Sequence, residues 1–280
     1  MQRLEDELER ARSLDVDDLA DAIETVGFEC TRCGACCKGY GSEPKSETTD
    51  DADGSGEREP HTATVFPDEV RRVRDGLNER AGADDAVASP ASATADEGEE
   101  KDADEDANMD ANIDANANRN AENRQPYDWR DVARPTPFGL REGPDGPTGE
   151  TFEWALAVDD CGDCAFYDEA GDEGTCTAYG DRPLVCRTYP FSVALGGVDE
   201  PMGEVVDGEG VVRAHECEGL GRDISREDAE ALAATLKERA VREIEEAIAV
   251  RESYAPVETN ERVVVHDSEG AKRPDGSPLD

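Results

Sequence analysis

The chain has 280 residues, 70 of them acidic and 29 basic, for a formal charge of −41, and only 36% are hydrophobic and 5% aromatic. That composition allows one or two domains with a modest core. It leaves no basic patch to meet phosphate, so neither nucleic acid nor an anionic membrane surface is expected as a partner.

Much of the acid excess lies on segments that otherwise read as folded, and only five of the bases are lysine (Lys38, Lys45, Lys101, Lys237 and Lys272). Self-repulsion on this scale is tolerable when salt screens it, because the Debye length falls to about 3 Å at 1 M salt. High net charge is also a solubility lever of halophiles. The balance therefore points to a haloarchaeon-like, salt-rich cytoplasm. The N-terminus, M-Q-R-L-E-D-E-L-E-R, is charged from its third residue and lacks the apolar stretch of a signal peptide. No run approaches the ~18 apolar residues of a membrane span. A cytoplasmic location is the expectation, and there thiols stay reduced. The cysteine count of nine is odd, which also speaks against a disulfide framework.

In chain order, residues 2–26 read as helix in two pieces, with Ser13 as cap of the second and Leu19, Ile23 and Val26 on one face. Gly27 ends that helix, and a cysteine-rich stretch follows Phe28-Glu29 at once. Residues 41–60 form a loop of acids and glycines. T-A-T-V-F (62–66) reads as a strand, and Pro67 opens a helix with Val70, Val73 and Leu77 on one side. Residues 82–124 carry thirteen acids, three bases and only Val87, Met109 and Ile113 as larger apolar residues. Such a segment buries too little to offset its ordering entropy, so a disordered insertion is expected there. Insertions of this kind are tolerated because closure entropy grows only logarithmically with loop length.

Order returns near Tyr127. E-T-F-E-W-A-L-A-V (150–158) alternates Phe152, Trp154, Leu156 and Val158 like a half-buried strand, and further strands are expected at 191–195 and 211–214. Ser225 begins a helix to about Tyr254, with Asp228 completing a capping-box pattern. Leu232, Leu236, Ala240, Ile244, Ala247 and Ile248 form its apolar stripe, a packing surface. After it the chain offers one strand at 263–265 and a mostly disordered tail. The predicted segments are thus 1–27 (helical), 28–81 and 125–222 (two parts of a cysteine-bearing domain), 82–124 (acidic insertion), 223–254 (amphipathic helix) and 255–280 (tail).

Residues 30–37 read C-T-R-C-G-A-C-C, placing Cys30, Cys33, Cys36 and Cys37 in eight positions; Cys161, Cys164, Cys176, Cys186 and Cys217 form a second group. Each C-x-x-C step has the spacing at which one turn of backbone aims two thiolates at one ion. Two overlapping steps, an adjacent cysteine and a distant second group point to a metal or metal cluster. Buried free thiols are the competing reading, and four in eight residues fit it poorly.

The stretch resembles the signature of the zinc- or iron-chelating CxxCxxCC family, the YkgJ-type cysteine-cluster proteins. C-A-F-Y (164–167) is similar to that family's Cys-Pro-Phe-Leu, with Ala165 where proline is usual. C-T-A-Y-G-D-R-P-L-V-C-R-T-Y-P-F (176–191) follows its Cys, Tyr, Arg-Pro, Cys-Arg, aromatic-Pro-Phe pattern, and H-E-C-E-G-L-G (215–221) resembles its late Cys-Pro-Gly-x-Gly element with Glu218 in place of proline. The resemblance spans 28–221 apart from the insertion. It implies Cys30, Cys33, Cys36, Cys37, Cys164, Cys176, Cys186 and Cys217 as metal ligands, in two four-ligand sites or in one site with spare thiols. Cys161 falls outside the pattern and reads as a bystander. His215, two residues before Cys217, reads as a local hydrogen-bonding group rather than a ligand, since the thiols already suffice for four-coordination.

Zinc and iron–sulfur clusters both accept four cysteines. Cys30, Cys33 and Cys36 reproduce the C-x₂-C-x₂-C triplet of bacterial ferredoxins, which favours an iron–sulfur cluster, although Cys37 follows without the usual gap. Adjacent residues project differently, so one of Cys36 and Cys37 is expected to reach a second site or to close the first from another angle. The C-x₃-C-x₂-C spacing of radical S-adenosylmethionine enzymes is absent. Arg182, Arg187 and Tyr179 surround Cys186 as candidate outer groups to offset thiolate charge and bond locally. The predicted fold is α+β, a small metal-crosslinked domain with a few short strands, flanking helices and the acidic insertion. Three functions remain open: a structural zinc-stapled module, a redox-active protein with an electron-transfer or other protein partner, and, by resemblance to flagellin lysine N-methylases within the family, a protein methylase. No Gly-rich nucleotide-binding turn or catalytic triad stands out.

Overall fold

The computed structural model describes residues 3–40, 59–87, 125–170, 173–195 and 205–279. From Ala88 onward, the expected acidic insertion lies outside the described residues, as does most of the 41–60 loop. The described fold is α+β. Helices α1 (Leu4–Ser13), α2 (Val16–Val26), α3 (Pro67–Val87), α4 (Trp129–Val132), α5 (Leu184–Thr188) and α6 (Arg226–Ser253) surround short strands, with 3₁₀ turns at Ala35–Cys37 and Tyr179–Asp181.

The strands are β1 (Thr64–Val65), β2 (Ala133–Pro135), β3 (Leu140–Arg141), β4 (Thr148–Thr151), β5 (Trp154–Leu156), β6 (Tyr167–Ala170), β7 (Glu173–Cys176), β8 (Phe191–Val193), β9 (Val205–Glu209), β10 (Val212–His215), β11 (Val263–Asp267) and β12 (Gly270–Lys272). They make three small sheets, ordered β1-β5-β2, β8-β10-β9 and β12-β11-β4-β3, and the hairpin β6-β7.

Two apolar clusters hold these layers. In the first, Leu19, Ala22, Ile23 and Val26 of α2 meet Ala229, Ala233 and Leu236 of α6 and Phe191, Val212 and Ala214 of the β8-β10 pair. The small residues of α6 let the helices approach closely. Asp15, not Ser13, caps α2: its carboxylate accepts from Asp17 N, while Ser13 ends α1 and donates to the Arg10 carbonyl. Gly27 closes α2 at φ +76°, a conformation that favours glycine, with the Arg222 carbonyl where a Cβ would sit. Ser225 caps α6 as its sequence suggests, accepting from Asp228 N. The buried face of α6 is displaced from the expected stripe. It comprises Ala229, Ala233, Leu236, Arg239 and Ala240, whereas Ile244 and Ile248 are half-buried and Ala247 is exposed.

The second cluster joins Val70, Val73 and Leu77 of α3 to Trp129, Val132, Trp154, Leu156, Phe166 and Val265. The expected single strand at 150–158 is two strands in two sheets. Phe152 is exposed at the break, and Trp154, Ala155, Leu156 and Ala157 are all buried, because β5 lies between β1 and β2 with both faces covered. Helix α3 runs on through Val87, past the expected start of the insertion.

The segment after Tyr254 also differs from expectation, being ordered through Leu279. β11 pairs in parallel with β4, β12 folds back on β11, and Asp267 supplies the acceptor for the buried Trp154 Nε1 at 2.8 Å. Asp267 also pairs with Lys272 at 2.8 Å, and both are buried. A buried indole N–H needs such a partner. Among the described residues, no helix is long and apolar enough to cross a membrane.

Candidate metal centre

The cysteines lie on five separate segments, which backbone hydrogen bonds tie to one another in part. The first is the loop Cys30–Cys37. Its entry is fixed by backbone pairing with residues 219–221, in which Glu29 N donates to the Gly219 carbonyl and Gly221 N to the Gly27 carbonyl, both at 3.0 Å. Its middle is fixed to β7, since Gly174 N donates to the Arg32 carbonyl at 2.9 Å, and its exit to the second cysteine segment, since Cys164 N donates to the Cys37 carbonyl at 2.7 Å. Gly34 turns the loop at φ +73° and leaves room for the Tyr167 phenol, which occupies the place of a side chain there. Tyr167 is the last residue of C-A-F-Y, so the second motif fills the gap that the first leaves open.

Cys164 is buried and follows the Asp159–Asp163 turn. Cys176 ends β7, opposite Tyr167 in the hairpin register. Cys186 lies in the middle of α5, and two buried charged residues hold that helix at its ends. Glu69, on α3, accepts from Leu184 N at 2.9 Å; Arg239, on α6, donates to Thr188 Oγ1 at 3.1 Å and to the Phe191 carbonyl at 3.4 Å. Nothing in the sequence marks these two: Glu69 resembles any acid in a first helical turn, and Arg239 interrupts an apolar stripe. Cys217 follows β10, and its sulfur accepts from Gly219 N at 3.4 Å.

No disulfide forms among the nine cysteines. The Cys36 and Cys37 sulfurs stand 4.0 Å apart, so the adjacent pair converges more than its sequence suggests. Two sulfurs bound to one zinc at about 2.3 Å in a tetrahedron stand about 3.8 Å apart. Among the described residues, no group of three or more His, Cys, Asp or Glu side chains is gathered to hold an ion as it stands. Rotation of a thiol to its next staggered well moves the sulfur by about 3 Å.

Burial and the other thiols both raise these cysteines. The hydrogen bond with Cys37 and burial push the Cys36 thiol far up. Burial pushes Cys164 up to about 11, with the charges of Cys176 and Cys36 adding to it. Cys186 is raised by burial and then by Cys164, Cys36 and Cys176. Cys217 is raised by burial and then by Cys33, Cys36 and Cys30. A set of thiols that resist one another's ionisation is relieved by a cation, which inverts the local balance and holds them as thiolates. The soft donor set and the spacing of the adjacent pair therefore fit zinc or iron.

Arg182 opposes the thiolate charge at Cys36, Cys176 and Cys186, and Arg80 adds to it at Cys176. Arg182 also lies over the ring of exposed Tyr179, 3.9 Å from its centre, and donates to the Tyr179 carbonyl. Arg187 is exposed on α5. Cys161 is exposed on the turn before Cys164, with its N–H bonded to Asp159. The buried His215 ring is 2.8 Å from Ser192 Oγ through Nε2.

Comparison with known families gives one match. The model of the CxxCxxCC family, described as "Putative zinc- or iron-chelating domain", matches residues 140–218. That segment carries Cys161, Cys164, Cys176, Cys186 and Cys217, and the Cys30–Cys37 loop that packs against it lies outside the matched residues. No curated protein and no solved structure matches the chain.

Proposed function

We propose that this chain binds metal through Cys30, Cys33, Cys36, Cys37, Cys164, Cys176, Cys186 and Cys217, holding an iron–sulfur cluster, zinc or both. The observation that carries the reading is the docking of the Cys30–Cys37 loop on the other cysteine segments through backbone hydrogen bonds at Glu29, Arg32 and Cys37. That docking brings sequence-distant thiols within electrostatic reach of one another. An iron–sulfur cluster would supply one-electron exchange, and zinc would supply a crosslink. The C-x₂-C-x₂-C spacing favours the cluster. The protein's own contribution is positional: Glu69 and Arg239 hold α5 and Cys186, Tyr167 braces the loop at Gly34, and Arg182 offsets thiolate charge.

A structural role has its own support. Cys164 is part of an apolar cluster, and Cys37, Cys176 and Cys186 pack against it. Metal there would complete a thin core and contribute folding energy directly.

The test is an absorption spectrum of anaerobically purified protein in multimolar salt, with iron, zinc and acid-labile sulfide quantified. Iron and sulfide with a colour bleached by dithionite support the cluster and a redox partner. Stoichiometric zinc in a colourless protein supports the structural module. Protein without metal under these conditions contradicts the proposal.

A further inference from the structure

Tyr167 begins β6, and its side chain runs between the Cys30–Cys37 loop and β7. A Cβ on Gly34 would overlap the Tyr167 oxygen, and one on Gly174 would stand 2.9 Å from it. The oxygen therefore sits in a slot that exists because both positions are glycine. Gly34 follows Cys33 directly and precedes Cys36 by two residues, and Gly174 precedes Cys176 by two. The ring is accounted for by the bracing of the loop, but the hydroxyl is not. It is buried and has no hydrogen-bond partner among the described residues. The Arg32 carbonyl, on the same side of Gly174, already accepts from Gly174 N at 2.9 Å. Lys38 lies over the ring, 5.4 Å from its centre, and bonds Glu169 at 3.2 Å; an ammonium is in any case a donor. Thr31 Oγ1, between Cys30 and Arg32 in the same loop, is likewise buried without a partner. Buried hydroxyls are rarely left so, because the lost bonds to water go unreplaced.

We infer that Tyr167 is a positioning residue of the metal centre, its hydroxyl donating to a cysteine sulfur of the Cys33–Cys37 turn when that sulfur is held as a thiolate. The inference rests on the metal-binding reading above. Sulfur is the acceptor that this turn supplies in number, with Cys33, Cys36 and Cys37 within three residues of Gly34. A neutral thiol accepts weakly, so the phenol stays unpartnered without metal. A thiolate is charged, and hydrogen bonds to charged acceptors are the strong ones. The two parts of the side chain then have separate duties: the ring fills the space at Gly34, and the hydroxyl holds negative charge on a ligand and fixes its direction.

The experiment compares the anaerobic full-length chain with Tyr167→Phe, which keeps the ring and removes only the oxygen. Zn²⁺ affinity is measured against a competing chelator, and the Co²⁺-loaded forms are followed by absorption. Tyr167→Phe is expected to bind Zn²⁺ about 10-fold more weakly. Its sulfur-to-cobalt charge-transfer band should move to longer wavelength, because a thiolate without a donor gives up its electron more readily. A protein purified with an iron–sulfur cluster should show a lower reduction potential in Tyr167→Phe, since hydrogen bonds to sulfur raise it. Lys38→Met should leave the band in place. A further measurement needs no variant to fold: the wild type loaded with Cd²⁺ enriched in a magnetic isotope should show a hydroxyl proton coupled to the metal through sulfur. An unmoved band and unchanged affinity in Tyr167→Phe would overturn the inference, as would an equal shift in Lys38→Met or a phenol proton uncoupled from cadmium. A wild type that binds none of these ions, and holds no iron as purified, removes the metal-binding reading itself.

Discussion

The two apolar clusters are built differently. The α2–α6–β10 cluster is closed by ordinary apolar side chains, with Leu19, Ile23, Phe191 and Leu236 all almost wholly buried. The cluster around Trp154 mixes aromatic rings with a buried carboxylate, a buried lysine and thiols. The first core meets the usual requirement of apolar area removed from water. The second places groups that resist burial next to one another, and it is complete only when each has a partner: Asp267 for Trp154 and Lys272, Leu184 for Glu69, and a cation for the thiols.

Metal removal should break that comparison open most widely. Chelation of the loaded protein is expected to abolish amide-exchange protection at Gly174, Cys164 and Leu184, a loss on the order of several kcal/mol. Protection in α6 near Leu236 should remain. Uniform loss across both clusters would show that the two are one cooperative unit. Asp267→Ala should come next. It strands the Trp154 N–H and removes one of the two carboxylates of buried Lys272, and urea unfolding should register a loss of about 3 kcal/mol. Leu236→Ala tests the other side, with an expected loss of about 3 kcal/mol and unchanged metal content. Reduced metal content in that variant would deny the two regions separate roles.

His61 offers a probe by pH. It is 5% exposed, and its Nδ1 has no hydrogen-bond partner among the described residues. Burial, with Arg134 adding to it, lowers its pKa from 6.5 to about 4. Between those values the unfolded chain takes up a proton that the folded chain refuses. Its contribution to stability is therefore full above about pH 6.5 and is lost as pH falls towards 4, by at most about 3 kcal/mol. Melting of His61→Leu should show a shallower decline over that window than the wild type, and equal slopes would exclude His61 as its source. The smallest effect expected is for Gly34→Ala, about 1–2 kcal/mol from the positive φ, plus displacement of Tyr167. Calorimetric metal titration should show weaker binding, whereas unchanged affinity would release Tyr167 from its bracing role.

The sequence was most legible where a period repeats. Leu19, Ile23 and Val26 mark α2, and Ser225 marks the start of α6, because local spacing and capping act within a few residues. The hairpin β6-β7 left no such trace: Y-D-E-A and E-G-T-C are polar, and their pairing depends on the cysteine loop that docks there through Gly174. The alternation at 150–158 misled because the chain crosses from one sheet to another at Phe152. The tail reads as mostly disordered, yet Asp267 accepts from the buried Trp154 N–H and Lys272 lies over the Trp129 ring. The thiols themselves were legible as ligand types, since chemistry is carried by residue identity. Their neighbourhoods were not, because those are set by backbone pairing between segments more than a hundred residues apart.

Native mass spectrometry of the anaerobically purified chain tests the central claim most directly. The account predicts a folded species heavier than the polypeptide by bound zinc, or by iron and sulfide, with the excess lost when the eight cysteines other than Cys161 are replaced by serine. A folded species at the bare polypeptide mass, unchanged by added zinc or iron, would contradict it.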